Sequence, residues 1–227
     1  MVTANRTTRT QWQRGIDQEL AFWRRYLASG GLNWPDEFRF RMDPDAPLQP
    51  HIAARLPAGL PTAELPILDC AAGPATTLGK TLNGDRLPIT AIDALAEQYH
   101  TILEELHLQP PVPSLPCTVE ALATRFGPDR FALVYMRFAL DHCYDPIAAL
   151  HQMVRVARPG CAVMIEHYRG EHDEEYHGLK HWTLEPATGD LIIRNEGCRL
   201  SVASELPEVN LELDSSPSWL TLILRKP

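Results

Sequence analysis

An acid and a run of very small residues, Asp69-Cys70-Ala71-Ala72-Gly73-Pro74-Ala75, close a short apolar stretch at 65–68. A turn of such residues lets a ligand approach the backbone closely. A second acid, Asp93, ends the next apolar stretch, 24 residues after Asp69. In dinucleotide-type folds an acid at about that distance from the turn can accept both hydroxyls of a ribose. Farther on, Arg137-Phe138-Ala139-Leu140-Asp141-His142-Cys143-Tyr144-Asp145 follows a strongly apolar run. Imidazole titrates near neutrality, so His142 suits proton transfer, with Asp141 or Asp145 to orient it. The plainer alternative is that His142 caps or packs under its own loop. A third group, residues 166–182, is rich in His, acidic and aromatic side chains. His177 and His181 are four apart and would share one face of a helix, as metal ligands can. Their spacing fits no specific metal signature, so no metal is assigned. His167, Tyr168, Tyr176, His181 and Trp182 are read as walls of a small-molecule pocket, where aromatic bodies with polar tips are suited.

These groups need a scaffold that brings them to one edge. From residue 65 onward, short apolar runs alternate with helical periodicity. LPILDCAA reads as a strand, ATTLGKTLN as a helix whose first turn would offer free N–H groups, and PITAID as a strand. ALAEQYHTILEELHL reads as a helix, a short strand follows at Cys117, and FALVYMRFAL is a strong strand. DPIAALHQMVRVA is a further helix closed by Arg158-Pro159-Gly160, before the strand CAVMIEHY. Such alternation predicts a parallel sheet with crossover helices, whose ligands bind outside the carboxyl ends of the strands. Residues 189–197 and 218–225 lack a clear intervening helix and are expected to form an antiparallel edge. Ahead of this core, Trp12, Ile16, Leu20, Trp23 and Leu27 recur at helical spacing, and Ser29-Gly30-Gly31 ends the helix. We therefore divide the chain into an N-terminal helical cap and connector, 1–60, and a core, 61–227, within one compact unit. Trp34, Phe38 and Arg41 are the cap residues that could reach a ligand. Trp12 and Trp23 could seal a homodimer as easily as a pocket.

The series ILDCAAGPATTLGK, ITAIDALAEQY, FALVYMRFALDH and VARPGCAVMIEHY resembles the ordered motifs of class I S-adenosylmethionine-dependent methyltransferases over about 100 residues. The resemblance implies a Rossmann-like α/β fold, mostly parallel, with an antiparallel C-terminal edge, helices on both faces and S-adenosylmethionine as cofactor. It assigns cofactor contacts to Asp69, Ala71, Gly73, Pro74, Asp93, Ala94, Val119 and Glu120, and to Arg137 as a partner of the methionyl carboxylate or of an acidic substrate. Ala71 and Ala75 stand where the family has glycines, so the backbone at both is expected to avoid positive φ. Thr118 stands where the family often has an acid, which leaves the adenine amino group to backbone or to Glu120. Pro74 directly after Gly73 argues against a nicotinamide site. The implied activity is methyl transfer to an O or N atom of a small molecule, with His142 and Asp141 as catalytic residues. Two alternatives stay open: a non-catalytic cofactor-binding or partner subunit, and a peptide or protein methyltransferase.

A formal charge of −8 speaks against nucleic acid and anionic membranes, which attract net positive surfaces. The five cysteines, at 70, 117, 143, 161 and 198, have no metal-type spacing and sit partly in apolar runs. They are read as buried thiols in a reducing compartment. With no signal-type or membrane-spanning run, a cytoplasmic location is expected.

Overall fold

The computed structural model describes residues 12–169 and 179–227. Seven strands form the central sheet: β1 (Ile67–Cys70), β4 (Ile89–Asp93), β5 (Ser114–Pro116), β6 (Phe131–Arg137), β7 (Ala157–Tyr168), β11 (Asn210–Ser215) and β12 (Trp219–Arg225). Their spatial order is β11-β12-β7-β6-β1-β4-β5. β5, β4, β1, β6 and β7 are parallel, and β12 and β11 run antiparallel at the far edge. Chain order reverses at β1, so the crevice outside β1 and β6 is where a ligand is expected. The short strand expected at Cys117 ends one residue earlier; Cys117 instead donates its N–H to the Asp93 carbonyl at 3.1 Å.

The strand-helix alternation breaks in one place. The segment ATTLGKTLN is not a helix. It runs irregularly into a small hairpin, β2 (Thr81–Leu82) and β3 (Asp85–Arg86). Asn83 and Gly84 form its two-residue turn with φ of 53° and 89°, as a hairpin twisted to match its strands requires. Thr76 donates its hydroxyl to Asp69 and accepts the Leu78 N–H, which gives the backbone a local alternative to helix. Gly79 has a further reason to be glycine: a Cβ there would stand 2.0 Å from the Pro47 carbonyl oxygen. Lys80 N–H donates to Ala46 O and Leu48 N–H to Thr81 O, so residues 46–48 lie along the segment. Leu48 and Ile52, the latter on α3 (Pro50–Ala53), join Leu78 and Leu87 over Ile67, Leu133 and Met164 of the sheet. An earlier part of the chain thus covers the face that a crossover helix would cover.

The cap helix α1 (Ile16–Ser29) ends as expected, with Gly30 at φ 70° and Gly31 N–H returning to Tyr26 O at 2.8 Å. Its apolar face packs on α4 (Ala96–Glu105) through Tyr26, Leu27, Tyr99 and Ile102. The short α2 (Pro35–Met42) follows. On the other face of the sheet lie α5 (Leu122–Phe126), α6 (Pro146–Val156) and a separate sheet of β8 (Thr183–Ala187), β9 (Asp190–Asn195) and β10 (Cys198–Ser201). The expectation for 189–197 is therefore corrected: that strand pairs with its sequence neighbours β8 and β10, and the turn α7 (Val202–Glu205) precedes β11. The antiparallel edge is made by 210–215 and 219–225. No described helix is long and apolar enough to cross a membrane.

Candidate active site

A cavity of about 400 Å³ opens at the carboxyl ends of β1, β4 and β6 and lies beneath α1 and α2. Two non-glycine residues with left-handed backbones face it: Ala71 (φ 54°) just after β1 and Phe138 (φ 56°) just after β6. Ala71 therefore corrects the expectation that alanine keeps this turn out of positive φ; Ala75 conforms to it. The left-handed region costs an L-residue roughly 1–2 kcal/mol, and such strain persists where surrounding structure enforces it. Around Ala71 the enforcement comes from the cap. Arg41 is buried, donates to the Ala72 and Ala75 carbonyls, and is held by Glu37 Oε1 at 3.0 Å from both Nε and Nη2. Phe138 is fixed by stacking on Tyr168 at 4.4 Å and 6°, and by its N–H to Glu166 O.

The β4 side of the cavity is organised by Asp93. Its Oδ2 accepts the Gly73 N–H and its Oδ1 the Leu95 N–H, both at 2.9 Å. Each carboxylate oxygen keeps a second lone-pair direction, so the group can still accept ribose hydroxyls. Burial raises its pKa to about 6 against the lowering effect of those two amides. Asp69 lines the cavity too, but its Oδ2 is turned to Thr76; burial raises it to about 7 although Thr76 and Arg41 oppose the shift. Ala94, Val119 and Glu120 line the same side. Glu120 accepts the Asp145 N–H at 3.4 Å. Gly73 has φ 66°, and a Cβ there would stand 2.6 Å from the Trp23 ring, so the turn is roofed by an indole from α1. Pro74 does not line the cavity, which corrects its assignment as a cofactor contact; the turn faces the ligand space through Ala71, Ala72 and Gly73.

The β6–β7 side carries the titratable cluster. Asp141 Oδ1 lies 2.9 Å from His167 Nε2 and 3.7 Å from His142 Nε2. Burial would raise Asp141, but His142, His167 and Lys180 overcome it and hold its pKa at about 2. His167 Nδ1 meets a second acceptor, the Tyr168 carbonyl, at 2.7 Å. With both ring nitrogens already engaged, His167 is a positioning partner of Asp141. His142 thus becomes the base candidate of the pair. Asp145 Oδ1 accepts the Ala148 N–H at 3.0 Å and caps α6. His167 and Tyr168 line the cavity as expected. His181 and Trp182 do not. His181 donates its backbone N–H to Asp141 O, and Trp182 is buried in the core with its indole N–H on Cys143 O at 2.9 Å. Leu179 and Lys180 take their place in the wall. Tyr176 and His177 lie outside the described residues. Among the described residues no three His, Cys, Asp or Glu side chains are grouped as metal ligands.

Sequence reasoning missed Glu19, Tyr26, Glu37 and Tyr144, which also line the cavity. Their signal was faint: the apolar spacing of α1 says which face is buried, not that the burying partner is a ligand space. Trp12 and Trp23 do line the cavity, as do Trp34 and Arg41; Phe38 instead packs on Tyr26. One buried donor of the wall, Arg137 Nε, has no hydrogen-bond partner among the described residues. The Asp93 carboxylate, with lone pairs to spare at the end of β4, fits a ligand that carries ribose-type hydroxyls.

Residues 68–165 match a family model described as a methyltransferase domain. No curated protein matches the chain. Among solved structures, the [4+2]-cyclase SpnF is 13% identical, with a TM-score of 0.53 over 96% of each chain. Phosphoethanolamine N-methyltransferase 2 of Haemonchus contortus, in complex with S-adenosyl-L-methionine, is 15% identical, with a TM-score of 0.52 over 78% of this chain and 51% of its own. At these identities the likeness is one of fold.

Proposed function

We propose that the chain, whose residues 68–165 match a methyltransferase domain, is a class I methyltransferase dependent on S-adenosylmethionine and methylates an O or N atom of a small-molecule acceptor held under the cap. One observation carries the reading: a single cavity joins Asp93, at the end of β4, to His142 and the Asp141–His167 pair beyond β6. When bound, S-adenosylmethionine supplies an electrophilic methyl group on a sulfonium sulfur. Asp93 would take the ribose hydroxyls, with Ala94 and Val119 flanking the base and the Ala71–Gly73 turn beneath the sulfonium end. His142 would remove the proton of an acceptor hydroxyl. For a neutral amine, alignment by the cavity walls is enough. Trp12, Phe22 and Trp34 from the cap add aromatic rings to the cavity wall. The acidic charge of the chain supports a small acceptor over nucleic acid.

Calorimetric titration with S-adenosylmethionine and S-adenosylhomocysteine tests the cofactor half of this reading. Saturable binding of both is expected. A screen of hydroxyl- and amine-bearing compounds for release of S-adenosylhomocysteine tests the other half. Folded protein that binds neither compound would overturn the proposal.

A further inference from the structure

Resting on the methyltransferase reading, we infer that Arg137 is the specificity residue for the acceptor and that the acceptor is a planar molecule bearing a carboxylate. Three observations support this. First, Arg137 lines the cavity, and its Nε is a buried donor with no hydrogen-bond partner among the described residues. A guanidinium meets a carboxylate through two parallel N–H groups. Second, among the described residues its charge is only partly balanced. Its ion pair there is with Glu37 Oε2, 3.7 Å from Nη1, and the same Glu37 is already bound by two nitrogens of Arg41. Glu166, its register partner on β7, is committed to Tyr135 Oη at 2.5 Å and His51 Nε2 at 3.1 Å. Third, Arg137 leans away from the nucleoside side. Its guanidinium lies 4.6 Å from the Phe138 ring and 5.7 Å from that of Trp219 on β12, whereas Asp93 lies on the opposite side of β1. Phe138, Tyr168 and Trp34 supply flat apolar walls beside it. These suit a planar body whose charged end meets Arg137.

A carboxylate could also come from the methionyl end of the cofactor, and the test separates the two sources. With the full chain saturated with S-adenosylhomocysteine, calorimetry would compare benzoate, salicylate and 2-naphthoate with their uncharged amides. At least one acid is expected to bind tenfold or more tightly than its amide. Arg137→Gln should abolish that preference and leave the affinity for S-adenosylhomocysteine within twofold. Arg137→Lys, which keeps the charge, should retain part of the preference and serves if the glutamine variant does not fold. No acid preference in the unaltered protein overturns the inference, as does a preference that survives Arg137→Gln. A tenfold loss of S-adenosylhomocysteine affinity in either variant assigns Arg137 to the methionyl carboxylate and also overturns it. Failure of the unaltered protein to bind S-adenosylhomocysteine removes the methyltransferase reading itself.

Discussion

The two halves of the cavity bury their acids equally and treat them oppositely. On the β4 side, Asp93 takes two amides and Asp69 a hydroxyl, and burial raises them to about 6 and about 7, with Arg41 and Lys80 lowering Asp69 without overcoming that rise. On the β6–β7 side, Asp141 is just as buried and is held at about 2, because His142, His167 and Lys180 together overcome its burial. Amides, a hydroxyl and cations that do not bond the carboxylate soften the cost of enclosing it, whereas a hydrogen-bonded imidazole with a second one beside it reverses that cost. One half is therefore built to accept hydrogen bonds from a neutral ligand, and the other to keep a fixed ion pair beside the reacting atoms.

The largest expected effect tests the ion pair. Asp141→Ala leaves His167 buried beside an empty site and should cost roughly 3–5 kcal/mol of stability, read by denaturant unfolding near pH 7. A loss below about 1 kcal/mol would show that solvent, not Asp141, balances the cluster. Next, His142→Gln should slow methyl transfer to the identified acceptor by about 10²-fold or more with unchanged affinity for S-adenosylhomocysteine. An unaltered rate would remove His142 from proton transfer. On the other half, Asp93→Asn keeps an acceptor for only one of the Gly73 and Leu95 N–H groups, sets its NH2 against the other, and weakens the acceptors for ribose. It should lower S-adenosylhomocysteine affinity about tenfold, roughly 1.4 kcal/mol, while the melting temperature at pH 8 falls by much less than that of Asp141→Ala. A drop in melting temperature as large as that of Asp141→Ala would erase the contrast. The smallest effect is a pH profile. Hydroxyls bind the ionised carboxylate better, so affinity should fall a few-fold as pH drops through about 6, and Asp93→Asn should flatten the curve. Stability has the matching signs. The contribution of Asp93 and Asp69 is complete below the ordinary value of 3.8 and is lost as pH rises through about 6 for Asp93 and about 7 for Asp69. That of Asp141 is present above 3.8 and is lost as pH falls toward 2.

The strands and their acids were legible because a buried parallel strand ends where its apolar run ends: Asp69 and Asp93 stand at the ends of β1 and β4, and Asp141 follows β6 by one short turn. The hairpin at 81–86 was legible as well: Asn83-Gly84 is a strong turn signal, yet the residues around it were read by helical habit. The position of Trp182 was not legible, because a buried indole and a pocket-lining indole have the same sequence. Nor was the division of Asp141 between two histidines, since His142 is its neighbour in sequence and His167 its partner only across strands. The left-handed Ala71 went against residue preference, since Arg41, thirty residues earlier, holds the turn by its carbonyls.

The segment that stands in for the first crossover helix also shapes how the chain folds. A helix between β1 and β4 would form from local contacts and bring the two strands together early. Here the strip at 46–53 must first meet 78–87, and a backbone-to-backbone fit at Gly79 leaves that meeting little tolerance. Contacts of long sequence separation are slow to form. The cover of this sheet face therefore rests on contacts between separate stretches of the chain rather than on a locally formed helix.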